Sequence, residues 1–117
     1  MMGTFTHPMT LIGPLGSETV ECVVDTGAIF TTIPAPTLER LGVEAFTTIR
    51  VRFADGKEDD WRMGQLEAEI DGTRRPILCL FGSVDAPPLL GAHALEAFLL
   101  TVDPAEQKLV RKEAWLL

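Results

Sequence analysis

The apolar positions of this chain fall in short runs, several of them strictly alternating, cut by glycine, proline and aspartate. That rhythm predicts strands rather than helices. Residues 4–12 form a possible strand, broken at Pro8 and closed by Gly13-Pro14-Leu15-Gly16. "ETVECVV", residues 18–24, alternates at first and then turns continuously apolar, as a strand does on entering a core. Residues 29–33 are β-branched and aromatic. "PAPTLERLG" then predicts a short helix with Thr37 as N-cap and Gly42 as its stop.

"TTIRVRFA", residues 47–54, puts Ile49, Val51 and Phe53 on one face and Arg50 and Arg52 on the other. The Asp55-Gly56 pair after it is a hairpin signal, with residues 61–70 as the return arm. Asp71-Gly72 predicts a second tight turn, and "PILCLF" a buried strand. A second short helix is expected over residues 92–98 within "APPLLGAHALEAFLL". "LLTVD", "PAEQ" and "KLVRK" then read as a last hairpin, before the apolar tail "EAWLL". No period repeats and no linker interrupts the chain. The expected class is mainly β with two short helices, in a single domain over residues 1–117.

Composition narrows the partners. The 117 residues are 46% apolar, enough for one core, and carry a formal charge of −7. No run of lysine or arginine offsets that charge, the nearest being Arg74-Arg75 beside a turn. Nucleic acid and anionic membrane are poor partners for such a surface. No apolar run reaches spanning length and the N-terminus does not read as a signal peptide, so a cytoplasmic location is expected. Cys22 and Cys79 lie inside apolar runs and read as buried free thiols; a disulfide or a metal site is the sharper alternative. His7, Cys22, Cys79 and His93 lack the close pair spacing of zinc ligands, so no metal and no cofactor are expected.

The chemistry concentrates in "VECVVDTGAIFTTIP". A carboxylate between apolar segments is costly to desolvate unless it is hydrogen-bonded or paired. Thr26 could turn its hydroxyl inward to fix the loop, and Gly27 could let the backbone turn tightly and approach a partner. Asp25, Thr26 and Gly27 are the candidate catalytic residues. The bland reading is an ordinary turn, which the flanks "CVV" and "AIFTTI" argue against. His93 is expected at the surface of a helix start. Trp61 and Trp115 could stack on a ligand, but more often such residues pack against a sheet or an interface.

The segment "VVDTGAIFTTIP" resembles the active-site segment of the retropepsin-like aspartic proteases: an apolar pair, Asp-Thr-Gly-Ala, two variable residues, then Thr31. The likeness continues in order through "IRVRFADGKEDDWRMG", which matches the family's β-hairpin flap with its tip near Asp55-Gly56. "EAEIDGTRRPILCLF" follows, and "PLLGAHALEAF" supplies the apolar-apolar-glycine motif as Leu89, Leu90 and Gly91. The resemblance implies a small closed β-barrel and an aspartic endopeptidase acting on peptide or protein substrates. Substrate contacts would come from Ala28, Ile29, Ala54, Asp55 and Gly56. It also implies a homodimer, because the chemistry needs two carboxylates and this chain has one Asp-Thr-Gly. "EAWLL" is then a candidate for part of the dimer surface.

Two departures stand out. Retroviral members pair an Asp after the Asp-Thr-Gly-Ala run with an Arg after the later glycine; here Ile29 and Ala92 stand in those places. That points to the bacterial and cellular relatives rather than a viral enzyme, and leaves a non-catalytic dimerisation or peptide-binding module as the alternative. The hairpin tip "ADGKEDD" is acidic rather than glycine-rich. It reads first as a solvated tip, with a preference for basic substrates as the sharper alternative. A β-barrel ligand-binding domain in which Asp25 merely closes a turn is the third reading.

Overall fold

Alternation along the chain becomes sheet wherever two such runs meet. The computed structural model describes residues 4–113. Its elements are β1 (Thr6–Gly13), β2 (Gly16–Val24), β3 (Thr31–Pro34), α1 (Ala35–Arg40), β4 (Ala45–Arg52) and β5 (Glu58–Ile70). They continue with β6 (Thr73–Gly82), β7 (Leu89–Leu90), α2 (Ala92–Ala97), β8 (Leu100–Asp103) and β9 (Lys108–Arg111). The fold is mainly β with two short helices, as the pattern implies.

Seven strands form one sheet in the order β1-β2-β7-β3-β6-β5-β4, while β8 and β9 pair as a separate hairpin. β1 also pairs with β5 at Thr10, Leu11 and Ile12, so the sheet curls round until its first strand meets its sixth. The long β5 makes this possible by changing neighbours. Its first half pairs with β4, up to Gly64, and its end, Glu67 to Glu69, pairs with β1. β6 joins β5 only from Met63 onward. Residues 58–62 therefore have β4 as their one strand partner, and the β4–β5 hairpin projects beyond the closed sheet as a two-stranded ribbon.

Inside the curl, Met9, Leu11, Cys22, Ile33, Ile77, Cys79 and Leu90 are almost wholly buried, joined by Leu38 of α1 and Leu95 of α2. Burying such side chains supplies the main drive to fold, at about 25 cal/mol per Å² of apolar surface. The alternation is cleanest in β5, where Leu66, Ala68 and Ile70 turn inward and Gln65 and Glu67 outward.

Several local expectations are corrected. Pro8 does not break β1, which runs unbroken through it. Val24 N–H donates to the Phe5 carbonyl, and the two-residue alternation then aims Phe5, His7 and Met9 at β2 and Pro8 away from it. On that side β5 has not yet joined, so the missing N–H of Pro8 faces an open edge. Thr37 is not the N-cap of α1; Pro34 is, with no side-chain cap, and Thr37 is buried inside the helix. Pro36 in the first turn gives up only an N–H that the helix leaves unused. Gly42 stops α1 as expected, with φ +77° and its N–H on the Glu39 carbonyl. β3 starts at Thr31, not Ile29. Trp115 and most of "EAWLL" lie outside the described residues.

Candidate active site

Asp25 is the first residue beyond β2, and its surroundings are built from the other end of the chain. β7 lies between β2 and β3, parallel to one and antiparallel to the other. The loop of residues 25–30 thus leaves one neighbour of β7 and returns on the opposite one. Asp25 N–H donates to the Leu90 carbonyl (3.0 Å), and Val23 N–H to the Pro88 carbonyl (2.8 Å). The Asp25 carboxylate accepts the Gly27 N–H at 2.9 Å, and the Asp25 carbonyl accepts the Ala28 N–H at 3.2 Å. A Cβ on residue 27 would stand 3.2 Å from that same carboxylate oxygen. Glycine leaves the carboxylate room.

The start of α2 holds the rest of the loop. The first N–H groups of a helix have no partner within it. Here the N-cap Gly91 offers no side chain, and the loop takes over. Ala92 N–H donates to the Ala28 carbonyl and His93 N–H to the Ile29 carbonyl, both at 2.8 Å. Gly91 N–H donates to the hydroxyl of Thr31 at 3.2 Å, and Thr31 is fully buried. Any side chain at Gly91 would meet the Phe30 carbonyl at 2.6 Å. Where an ion pair is missing, Ile29 and Ala92 are held instead by backbone bonds to each other's neighbours, Ile29 to His93 and Ala92 to Ala28.

Asp25 is half-buried, while Thr26 and Gly27 are exposed. The inward hydroxyl expected of Thr26 is supplied by Thr31 instead. Beside the loop opens an apolar groove of about 590 Å³. Gly27, Ala28, Ile29 and Phe30 form one wall; Ile49, Val51, Phe53 and Trp61 of the β4–β5 hairpin form the other. Ala54, Asp55 and Gly56 do not line it. They form the exposed tip, where Phe53 N–H bonds the Lys57 carbonyl and Gly56 takes φ +87°. Phe53 and Trp61 meet edge to face, 5.6 Å between centroids.

The hairpin's acids are matched by its own cations on the outer face. Arg50 bonds Asp60 (3.1 Å) and Glu58 (3.2 Å), Arg52 bonds Glu58, and Lys57 lies 4.0 Å from Asp55. The bonds to Glu58 first and Asp60 second hold the Arg50 guanidinium above its usual pKa. Asp59 accepts the Trp61 indole N–H at 3.1 Å. The groove lining is mostly apolar, its charged members are Arg50 and Arg52, and none of the tip's acids belongs to it, which gives no support to a basic-substrate preference.

Other candidates fall away from the groove. His93 is exposed, its ring 5.8 Å from that of Phe30. His7 bonds Asp71 at 3.1 Å. Cys22 and Cys79 are buried and free, and burial pushes both thiols up to about 12, Glu21 adding to the rise at Cys22. Among the described residues no three His, Cys, Asp or Glu side chains gather as a metal site, and no helix is long and apolar enough to cross a membrane.

A sequence model of the family described as "Aspartyl protease" matches residues 11–93, which take in the Asp25 loop, the hairpin and Gly91. The solution structure of Simian Foamy Virus (mac) protease is similar in fold, with a TM-score of 0.58. The two share 19% identity over 78% of this chain and 91% of that one. No curated protein matches the sequence.

Proposed function

Since the chain belongs to the aspartyl protease family, we propose that it is an aspartic endopeptidase working as a homodimer, each copy contributing one Asp25 to a shared site. The observation that carries this reading is the lone carboxylate. Asp25 is anchored by the Gly27 N–H two residues from the groove wall, and among the described residues no Asp or Glu lines the groove itself. A water-activating pair then requires a second copy across a two-fold axis.

Two carboxylates held close cannot both ionise, so they share one proton. The ionised member draws a proton from a water between them, and the water oxygen attacks the scissile carbonyl carbon. The protonated member donates to the carbonyl oxygen, and a proton passes to the leaving amine as the C–N bond breaks. The peptide lies extended between the 27–30 loop and the β4–β5 hairpin, which acts as a flap. Ile29, Val51, Phe53 and Trp61 favour apolar side chains there over charged ones. The domain spans the whole chain.

The test is digestion of a diverse peptide mixture by wild type and by Asp25→Asn protein. Wild type is expected to cut beside apolar residues and the variant to be inactive but folded. Excess variant mixed with wild type should lower activity per wild-type chain, since each mixed dimer keeps one working carboxylate. Unchanged activity under demonstrated subunit exchange would rule the shared site out. A folded, dimeric wild type without activity on any peptide would leave the non-catalytic module.

A further inference from the structure

The chain has 17 acids against 10 lysines and arginines, and several cations are matched: Arg40 to Glu18, Arg50 and Arg52 to Glu58, Lys57 to Asp55, Arg74 to Glu69. Arg75, Arg111 and Lys112 have no ion-pair partner among the described residues, although acids are in excess. All three line one pocket of about 220 Å³ that shares no residue with the groove beside Asp25. Arg75 spends one N–H on the Arg74 carbonyl at 2.9 Å. The acid on the rim, Asp71, has one carboxylate oxygen bonded to His7 at 3.1 Å.

The floor is apolar. Ile70 and Phe98 are buried there, with Leu100 and Leu109 packed at the edge of the core. At the mouth stands Leu99, 41% exposed and with φ +54°. It follows the C-cap of α2, where the chain takes the left-handed conformation that glycine adopts without strain. A leucine there bears a steric penalty and adds an exposed apolar side chain to the pocket. Lys112 N–H donates to the Leu99 carbonyl at 2.8 Å, which ties the Arg111-Lys112 pair to that mouth.

We propose that this pocket binds a small carboxylate bearing a branched aliphatic chain. The aliphatic part lies on Ile70, Phe98, Leu100 and Leu109, under Leu99; the carboxylate meets Arg75, Arg111 and Lys112. The volume lies below the range of drug-sized ligands, which limits the occupant to a group about the size of one amino acid. Charge-assisted hydrogen bonds beside an apolar floor select the ionised acid over its neutral amide. The same chemistry is presented by a free short-chain acid and by the C-terminal residue of a peptide. The inference does not rest on proteolysis.

The test titrates the whole chain with 4-methylpentanoate, with N-acetylleucine, and with the amide of each, following backbone amide shifts. Saturable shifts centred on Ile70, Leu100 and Leu109 are expected from the acids, which bind at least about tenfold tighter than the amides. Arg111→Gln with Lys112→Gln, both at exposed positions, should remove that preference. Asp25→Asn should leave it intact, which separates this pocket from the proposed catalytic site. Tighter binding of N-acetylleucine supports a peptide terminus as the source, and of 4-methylpentanoate a free acid. Equal affinity for acid and amide, shifts confined to the Ile49 to Trp61 groove, or no saturation by about 10 mM would overturn the proposal.

Discussion

Thr26 and Thr31 stand on the same short segment, yet only the second turns into the core. Thr31 opens β3, and its pairing with Cys79 of β6 turns it into the core, where its hydroxyl accepts the Gly91 N–H. Thr31→Val should leave that buried N–H unpaired and lower the unfolding free energy by about 1–3 kcal/mol, measured in urea; Thr31→Ser should cost less. Leu99→Gly should act in the opposite direction. It relieves the left-handed strain and is expected to raise stability by roughly 1 kcal/mol, visible as a higher denaturant midpoint. The placing of Asp25 at the end of a strand, and of Gly91 at the opening of a helix, was legible from residue type and spacing. Which threonine turns inward was not. That depends on a parallel register between β3 and β6, and no local pattern encodes it.

Among the elements, the alternating runs were the easiest to read, because a half-buried strand writes its two faces directly into its sequence. β7 has two residues and so no period at all, although it holds the Asp25 loop on both sides. Pro8 misled for a related reason, since proline is excluded by a neighbour on one particular side and the neighbours were unknown. The β4–β5 hairpin is where reading and structure meet best. Between Arg52 and Met63 it is a ribbon without a third strand, cross-linked by exposed ion pairs worth little each. It should open readily. A peptide-like inhibitor seated in the groove should slow hydrogen exchange from Phe53 to Trp61, and an unchanged rate there would mean that the hairpin does not close over a ligand.

At the scale of the molecule, the two buried cysteines make stability depend on alkaline pH. Burial raises both thiols from 9.0 to about 12, so the folded chain holds those protons more tightly than the unfolded one. Their contribution is fully present below the unfolded value and is lost as pH rises through the window between the two. Above pH 9 the unfolding free energy should fall by up to about 1.4 kcal/mol per pH unit for each thiol. Urea titrations of wild type against Cys22→Ala with Cys79→Ala should show a flatter decline in the variant, which will itself be less stable at neutral pH because of the cavities it creates. For the proposed dimer, specific activity should fall on dilution below its dissociation constant. A rate per chain independent of concentration across dissociation would contradict it.

The bond from Gly91 N–H to Thr31 spans 60 residues of sequence, and the partners of Val23, Asp25, Ala28 and Ile29 lie in the same late segment. Closing so long a loop is an entropic cost met before any contact repays it. A ribosome adding about 5–20 residues per second takes roughly 3–12 s to travel from one partner to the other. During that interval Asp25 has only its own loop, Gly27 and Ala28, to hold it. Changes at Thr31 or Gly91 should accordingly speed unfolding far more than they slow folding. Whatever chemistry Asp25 performs awaits the docking of residues 88–93, so the nascent protein holds that carboxylate outside its final geometry.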